Sequence, residues 1–384
     1  MNKLKVFSVL MICLFALSLI FTSCDFAFLT EDDNGNGNGG NGGGNDGGGN
    51  GGSGNGGSGD NGGGAPLTTT VTSEGTVLRG ANLASKLAWL QRSVESHNTY
   101  IVEVSANENI APHTLQYTGG INITVILRGD GTNRIIRLSR NGTMFTVRSN
   151  VTFVLDKDIT LQGHSQNTGN IVDVEGGTLK MNNGSAITGN TGYGGVYVLS
   201  NGIFEMTGGT ISGNGRITDF VGGGVDVRGT FTMTGGTISG NTASDGGGVY
   251  VGGSGTFTMS NGTISGNSTS ESGGGVYVGH STNARFTMHG GTLTGNTARE
   301  YGGGVYVDGW GNFIKDGGTI DGYNSDQSNG NVVRDGADNV LARRGHAVYA
   351  AAYIRSVKRK ETTAGPMDNL SLIYSSTVTG SWDD

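Results

Sequence analysis

The sequence predicts an all-β fold: a single-stranded right-handed parallel β-helix with three short strands per coil and an N-terminal capping helix. Three observations predict it. A unit of about 25 residues repeats through the second half of the chain, as in GGGVDVRGTFTMTGGTISGNTASD from Gly222 to Asp245. Each unit holds three short segments of alternating polarity and no helical periodicity. Glycine supplies 75 of 384 residues and proline only 3, which excludes collagen and suits tight turns between short strands.

Taken from the N-terminus, Lys3 and Lys5 form a basic start, followed by an apolar run from Val6 to Phe21. That run is shorter than the ~20 residues a spanning helix needs, and it reads as a secretory signal over residues 1–23. It ends in Phe21-Thr22-Ser23-Cys24. This resembles a bacterial lipobox, in which small residues precede a cysteine that becomes the lipidated mature N-terminus. The resemblance implies lipidation at Cys24, although Phe21 stands where leucine is usual. An ordinary signal peptide or an uncleaved anchor is the alternative. The other cysteine, Cys13, lies within the apolar run, so the body has no cysteine for a disulfide or a metal site.

Residues 24–66 are then read as a lipidated terminus and linker. From Asn34 to Gly64 the chain is almost entirely Gly and Asn, with nothing apolar to offset the entropy of ordering. A flexible coil of this length spans roughly 30 Å and would lift a folded body off a membrane.

Residues 67–143 are read as the N-terminal cap and first coils. Within them Asn82 to His97 is the one helix, with Leu83, Leu87, Leu90 and Val94 at helical spacing and Asn82 as N-cap. A helix at this place would plug the open end of a solenoid, whose terminal repeats must hide an apolar cross-section. Strand-like stretches follow at Tyr100–Val104, Ile123–Leu127 and Ile135–Leu138.

The repeats occupy residues 144–350. Units begin at Gly169, Tyr193, Gly222, Gly246, Gly273 and Gly302, at intervals of 24, 29, 24, 27 and 29 residues. The length varies in the turns while the V-x-V, F-x-M and T-I-S segments keep their order. Alternation gives each segment one apolar face. Three strands in so few residues, with no helix between them, fit one turn of a parallel β-helix. At ~4.8 Å per coil, seven or eight coils would make a rod of roughly 35–40 Å. Like residues then stack in columns: Phe204, Phe231, Phe257, Phe286 and Phe313; Met206, Met233, Met259 and Met288; Ile211, Ile238, Ile264, Leu293 and Ile320. Asn190, Asn214, Asn241, Asn267 and Asn296 form an amide ladder in one turn. Lys315 replaces a column methionine, which reads as the end of the core, with the long side chain reaching solvent. Residues 351–384 form the C-terminal cap. Its basic run, Arg355–Lys360, reads as a solvated edge strand that discourages edge pairing.

The G-G-T-I and S-G-N elements, as in Gly236–Ile238 and Ser239–Asn241, are similar to repeat motifs of polymorphic outer membrane proteins and other adhesin passengers with pectin-lyase-like β-helices. The resemblance covers about Met144 to Tyr349. It implies a cell-surface β-helix and is unspecific for activity. Such passengers end in a membrane β-barrel, whereas about 35 residues follow Tyr349, so anchoring would fall to the lipid on Cys24.

Candidate chemistry is sparse. The outward slot of V-x-V holds Asp173, Tyr197, Asp226, Tyr250, Tyr277 and Tyr306. Tyrosines beside carboxylates form a candidate ligand-binding strip for a glycan; alternatively, tyrosine there suits a pleated surface and stacks in register as scaffold. Asp173 and Asp226 would lie two rungs, ~10 Å, apart, near the upper end for an inverting glycosidase. No Arg or Lys recurs beside the slot, as lyase chemistry on this fold would require. The acids before each glycine triplet, Asp219, Asp245, Glu271 and Glu300, are offset from one another and read as solvated turns rather than a Ca²⁺ site. His280 and His289 read as surface loop residues with no partner triad visible. No nucleophile elbow, phosphate loop or zinc-protease motif occurs. The net charge of −7 argues against nucleic acid. The expectation is therefore an exported, membrane-anchored lipoprotein of the outer membrane or cell surface. It would be structural or adhesive, with no catalytic residues, cofactor or metal, and with a host or environmental glycan or protein as partner. A carbohydrate-active enzyme of the pectin-lyase-like class is the alternative.

Overall fold

The computed structural model describes residues 66–218, 220–323 and 330–351, and the backbone of three further strands at Ser356–Arg359, Leu370–Ile373 and Gly380–Trp382. The leader, Cys24, the Gly/Asn-rich segment, Asp219, Arg355 and Lys360 lie outside the described residues.

The body is a parallel β-helix. Each coil contributes one strand to each of three sheets. The F-x-M sheet runs from Gly75–Arg79 through Thr99–Val104 and Ile123–Gly129 to Asn312–Lys315. The T-I-S sheet runs from Glu108–Ile110 to Thr319–Ile320, and the V-x-V sheet from His113–Leu115 to Val348–Ala350. The T-I-S sheet has nine strands, one per coil, so about nine coils stand where the sequence counted seven or eight. The extra coils lie upstream, where Glu108–Ile110 and His113–Leu115 pair in register with the coil above them although they lack the glycine triplet. A short fourth sheet is new: Thr242–Ala243, Ser268–Thr269, Thr297–Ala298 and Val332–Val333 pair just after the asparagine turn.

The predicted columns are in register. Phe204, Phe231, Phe257, Phe286 and Phe313 are fully buried, with successive ring centroids 4.5, 4.6, 4.7 and 5.0 Å apart. Met206 pairs with Met233, Met233 with Met259, and Met259 with Met288. The glycine before T-I makes room for them. A Cβ on Gly262, at φ +101°, would stand 2.6 Å from the Met233 methyl carbon. Each buried phenylalanine contributes a few kcal/mol by area.

The turns are held by amides. Asn190, Asn214, Asn241, Asn267 and Asn296 are buried as expected, and the ladder extends to Asn167 and Asn331. From Asn214 onward each Nδ2 donates to the next Oδ1 at 3.1, 3.0, 2.9 and 2.8 Å. The same oxygen accepts the backbone N–H of the preceding asparagine, and Nδ2 also donates to a carbonyl such as that of Ile238 from Asn267. Beside this ladder the glycine triplets lie against one another. A Cβ on Gly248 would meet the Gly275 carbonyl oxygen at 2.6 Å and Asn267 Nδ2 at 3.0 Å.

Helix α1 spans Leu83–Ser93, shorter than the predicted Asn82 to His97. Asn82 is the N-cap, its side chain accepting from Ser85 N. The helix stops at Val94 because the chain turns extended there, and the Tyr100 hydroxyl takes the Glu95 N–H at 2.7 Å. Leu83, Leu87 and Leu90 are buried in the first coil's core. Glu108 accepts the Leu83 N–H at 2.7 Å, placing a carboxylate at the helix N-terminus. Lys86 is fully buried and donates to the Glu103 carbonyl at 2.6 Å; burial lowers its pKa, against the opposing pull of Glu108 and Glu103.

Both ends leave parallel pairing. A hairpin, Thr68–Thr72 with Gly75–Arg79, opens the F-x-M sheet. At the far end Leu370–Ile373 runs antiparallel to Asn312–Lys315, Ser356–Arg359 forms the edge outside it, and Gly380–Trp382 runs antiparallel to Val348–Ala350. This corrects the reading of Lys315. It is 3% exposed, because the added strand, pairing Lys315 with Leu370, covers the position where the sequence placed open solvent. Among the described residues no helix is long and apolar enough to cross a membrane.

Two substitutions test the ladder and the glycine contact. Asn267→Ala strands both donors of Asn241 that now reach Oδ1 and should cost about 3 kcal/mol or more in denaturant unfolding. Gly248→Ala should cost about 1–3 kcal/mol by overpacking against backbone. Gly336→Ala, where a Cβ would meet nothing within 4 Å, should stay within about 0.5 kcal/mol of wild type.

Candidate functional site

The outward slot of the V-x-V sheet forms a continuous row. Register places Asp173 beside Tyr197, Tyr197 beside Asp226, and Asp226 beside Tyr250, followed by Tyr277, Tyr306 and Tyr349. All seven are half-buried. The structure thus brings together every residue of the predicted strip and adds Tyr349. Tyr250 stacks on Tyr277 at 5.0 Å and 12°, Tyr277 on Tyr306 at 4.9 Å, and Tyr306 on Tyr349 at 5.7 Å and 3°. Burial raises the pKa of Tyr250, Tyr277 and Tyr306, and neighbouring carboxylates push in the same direction, so these phenols stay protonated donors at neutral pH.

The two slot carboxylates are engaged. Asp173 accepts from the Thr143 hydroxyl at 2.7 Å and from Asn170 Nδ2 at 2.8 Å. Asp226 takes Arg228 in a two-pronged pair, Nε at 2.7 Å and Nη2 at 3.2 Å. Burial raises both acids above the ordinary carboxylate range, outweighing these hydrogen bonds. No Arg or Lys was expected to recur beside the slot; the structure places one arginine there, Arg228. It sits two residues after Asp226, on the same face, and its guanidinium carbon lies 4.8 Å from the Tyr250 ring centroid. Arg148 holds the corresponding position three coils earlier and pairs with Glu175 of the next coil. V-D-V-R was the readable signal, because residues i and i+2 of a strand share a face.

The histidines have partners one coil away. His280 Nδ1 lies 3.3 Å from Asp308 Oδ1, and its ring is 5.4 Å from that of Trp310. Asp308 also accepts the Tyr277 hydroxyl at 3.1 Å, which joins this group to the tyrosine row. His289 Nδ1 lies 2.7 Å from Asp316 Oδ1. Each pair is 28 or 27 residues apart, one repeat length, so the repeat interval itself was the signal.

The turn acids divide. Glu271 and Glu300 are exposed, as read from the sequence. Asp245 is half-buried and accepts the Ser272 N–H at 3.0 Å. Burial pushes its carboxyl up to about 6, partly opposed by that hydrogen bond and reinforced by Glu271, Glu300 and Asp308. The acids do not share a row. The position before each glycine triplet is held by Val221, Asp245, Ser272 and Tyr301. Among the described residues no group of His, Asp and Glu is arranged to hold a metal ion. Two grooves of about 410 Å³ lie elsewhere, one between α1 and the segment Asn109–His113, the other lined by Thr124, Asn150, Thr152 and Thr178.

Comparison with protein-family models, with curated proteins and with solved structures finds no match to this chain.

Asp245 gives the body a pH dependence of defined sign. Its folded pKa lies above that of the unfolded chain, so the folded state binds the proton more tightly. Stability from this group is greatest below about pH 4 and falls as pH rises through about 6. Asp245→Asn keeps an oxygen for the Ser272 N–H. It should stabilise the fold at neutral pH by on the order of 1 kcal/mol after screening, measured by denaturant unfolding, and the gap from wild type should close near pH 4.

Proposed function

We propose that this chain is an exported lipoprotein, held at the outer membrane or cell surface by lipid on Cys24, whose β-helix is a rigid, non-catalytic body that binds glycan and serves adhesion. The observation that carries the binding role is the tyrosine row, in register over consecutive coils and bordered by carboxylates. A polymer lying along such a row meets the same groups at every rung. The engaged state of Asp173 and Asp226 supports a binding role over proton transfer. Tethering is supported by the leader pattern, Cys24 and the Gly/Asn-rich stretch from Asn34 to Gly64.

A second reading, hydrolysis or lyase chemistry on polysaccharide, is favoured by one observation: two carboxylates of raised pKa stand two rungs apart with Tyr197 between them. Release of reducing ends from a polysaccharide panel, lost in Asp226→Asn, would establish it in place of the binding role.

On a glycan array, the wild type should retain a subset of oligosaccharides and the Tyr277→Ala/Tyr306→Ala double variant should lose them at unchanged secondary structure. If the wild type retains none, the row is scaffold. In bacterial cells, labelled fatty acid should enter the wild type and not Cys24→Ala, and external protease should cleave the body on intact cells.

A further inference from the structure

The tyrosine row differs between its middle and its ends. Tyr250, Tyr277 and Tyr306 lie on one another, so the ring faces inside the row are covered. The middle therefore offers ring edges and phenolic hydroxyls, not faces. Where a face is left open, the chain fills it with a cation. Arg228 lies over Tyr250 at 4.8 Å. Arg344 lies over Tyr301 at 4.6 Å, and Tyr301 packs on Tyr349 at 4.4 Å.

The middle is bordered by acid. Asp308 meets the Tyr277 hydroxyl, the Gly309 N–H and His280. Among the described residues Asp245 accepts a single backbone N–H, that of Ser272, and its charge acts on Tyr277 and Tyr306. Neither carboxylate has an Arg or Lys partner among the described residues. Among the described residues the chain places an arginine at each end of the row, and its acidic middle has only a histidine, His280, beside Asp308.

We propose that the middle of this row binds a cationic polysaccharide, a linear β-linked chain of amino sugars with free ammonium groups lying along the solenoid axis. This rests on the glycan-binding reading above and specifies its ligand. The rings repeat at 5.0 and 4.9 Å, close to the advance per sugar of an extended β-linked chain, so one sugar meets one coil. Sugar hydroxyls bond the phenols, and ammonium groups pair with the Asp308 carboxylate through charge-assisted hydrogen bonds, while Asp245, which holds its proton to about 6, adds its charge only above that pH. The same carboxylates repel uronate and sulfated chains.

The test titrates the full chain with four probes: a deacetylated glucosamine oligomer, its N-acetylated counterpart of equal length, an oligogalacturonate, and polylysine, at a pH that protonates the amines. The deacetylated oligomer should bind at least about tenfold tighter than the acetylated one, and the uronate should not bind. Added salt should weaken the preferred complex. Asp308→Asn should lose about tenfold for the deacetylated oligomer alone, and Tyr277→Phe, which keeps the ring stack, should lose less. Equal binding of the acetylated and deacetylated oligomers overturns this proposal and leaves glycan binding standing. Binding of no oligosaccharide overturns both. Polylysine binding without amino-sugar binding overturns it in favour of a basic protein partner. The wild-type comparison of oligomers decides the matter even if a variant fails to fold.

Discussion

Everything in this molecule depends on one constraint: each coil must lie in register on the coil below it. Parallel strand pairing sets the spacing, but strands of three or four residues specify register weakly by themselves. The buried asparagine ladder strengthens it. From Asn241 onward each side-chain oxygen accepts two N–H groups from the preceding coil, so a slip of one residue would strand several buried donors at once. The phenylalanine column adds shape to that polar lock, with rings nearly parallel at 6–7° through its middle. Glycine is the complement of both. It removes side chains where a neighbouring carbonyl or methionine methyl occupies the space.

Register has a consequence for the surface. It converts a sequence period into linear arrays, so residues far apart along the chain stand one rung apart. The tyrosine row is such an array, and its physics follows from the spacing. Rings at 5 Å cover one another's faces and leave their edges along the strip, with the Tyr277 hydroxyl donating to Asp308. Length variation is absorbed in the turns. The segment between Ile320 and Val348 returns the chain to its place, with Asn331 in the ladder and Val332–Val333 in the fourth sheet. At the two ends the chain abandons parallel pairing, and antiparallel strands close what would otherwise be open templates for association.

The fold was legible because its determinants are local and repeated. The phenylalanine, methionine and isoleucine columns, the asparagine ladder and the tyrosine slot could all be written down from aligned units. What escaped lay in the exceptions to the repeat. The first coils carry no glycine triplet, so the coil count fell short. The two-residue strands of the fourth sheet are too short for any periodicity to reveal. Lys315 was read as exposed because the covering strand, Leu370–Ile373, belongs to a tail with no repeat. Helix α1 stops at Ser93 although Val94 continues the helical pattern, because the Tyr100 hydroxyl captures the following turn.

By itself, the sequence determined the architecture and the membership of each row, since a period of about 25 residues and alternating polarity suffice to say which side chains share a column and which face they occupy. Only the tertiary structure decided what those neighbours do to one another. That Arg228 grips Asp226 and covers Tyr250, that Asp308 joins His280 to Tyr277, and that Asp245 is sheltered enough to hold its proton to about 6 are facts of distance and burial. Periodicity assigns a residue to a rung, but hydrogen bonding and desolvation depend on tenths of an ångström and on what lies above, which a one-dimensional pattern does not contain.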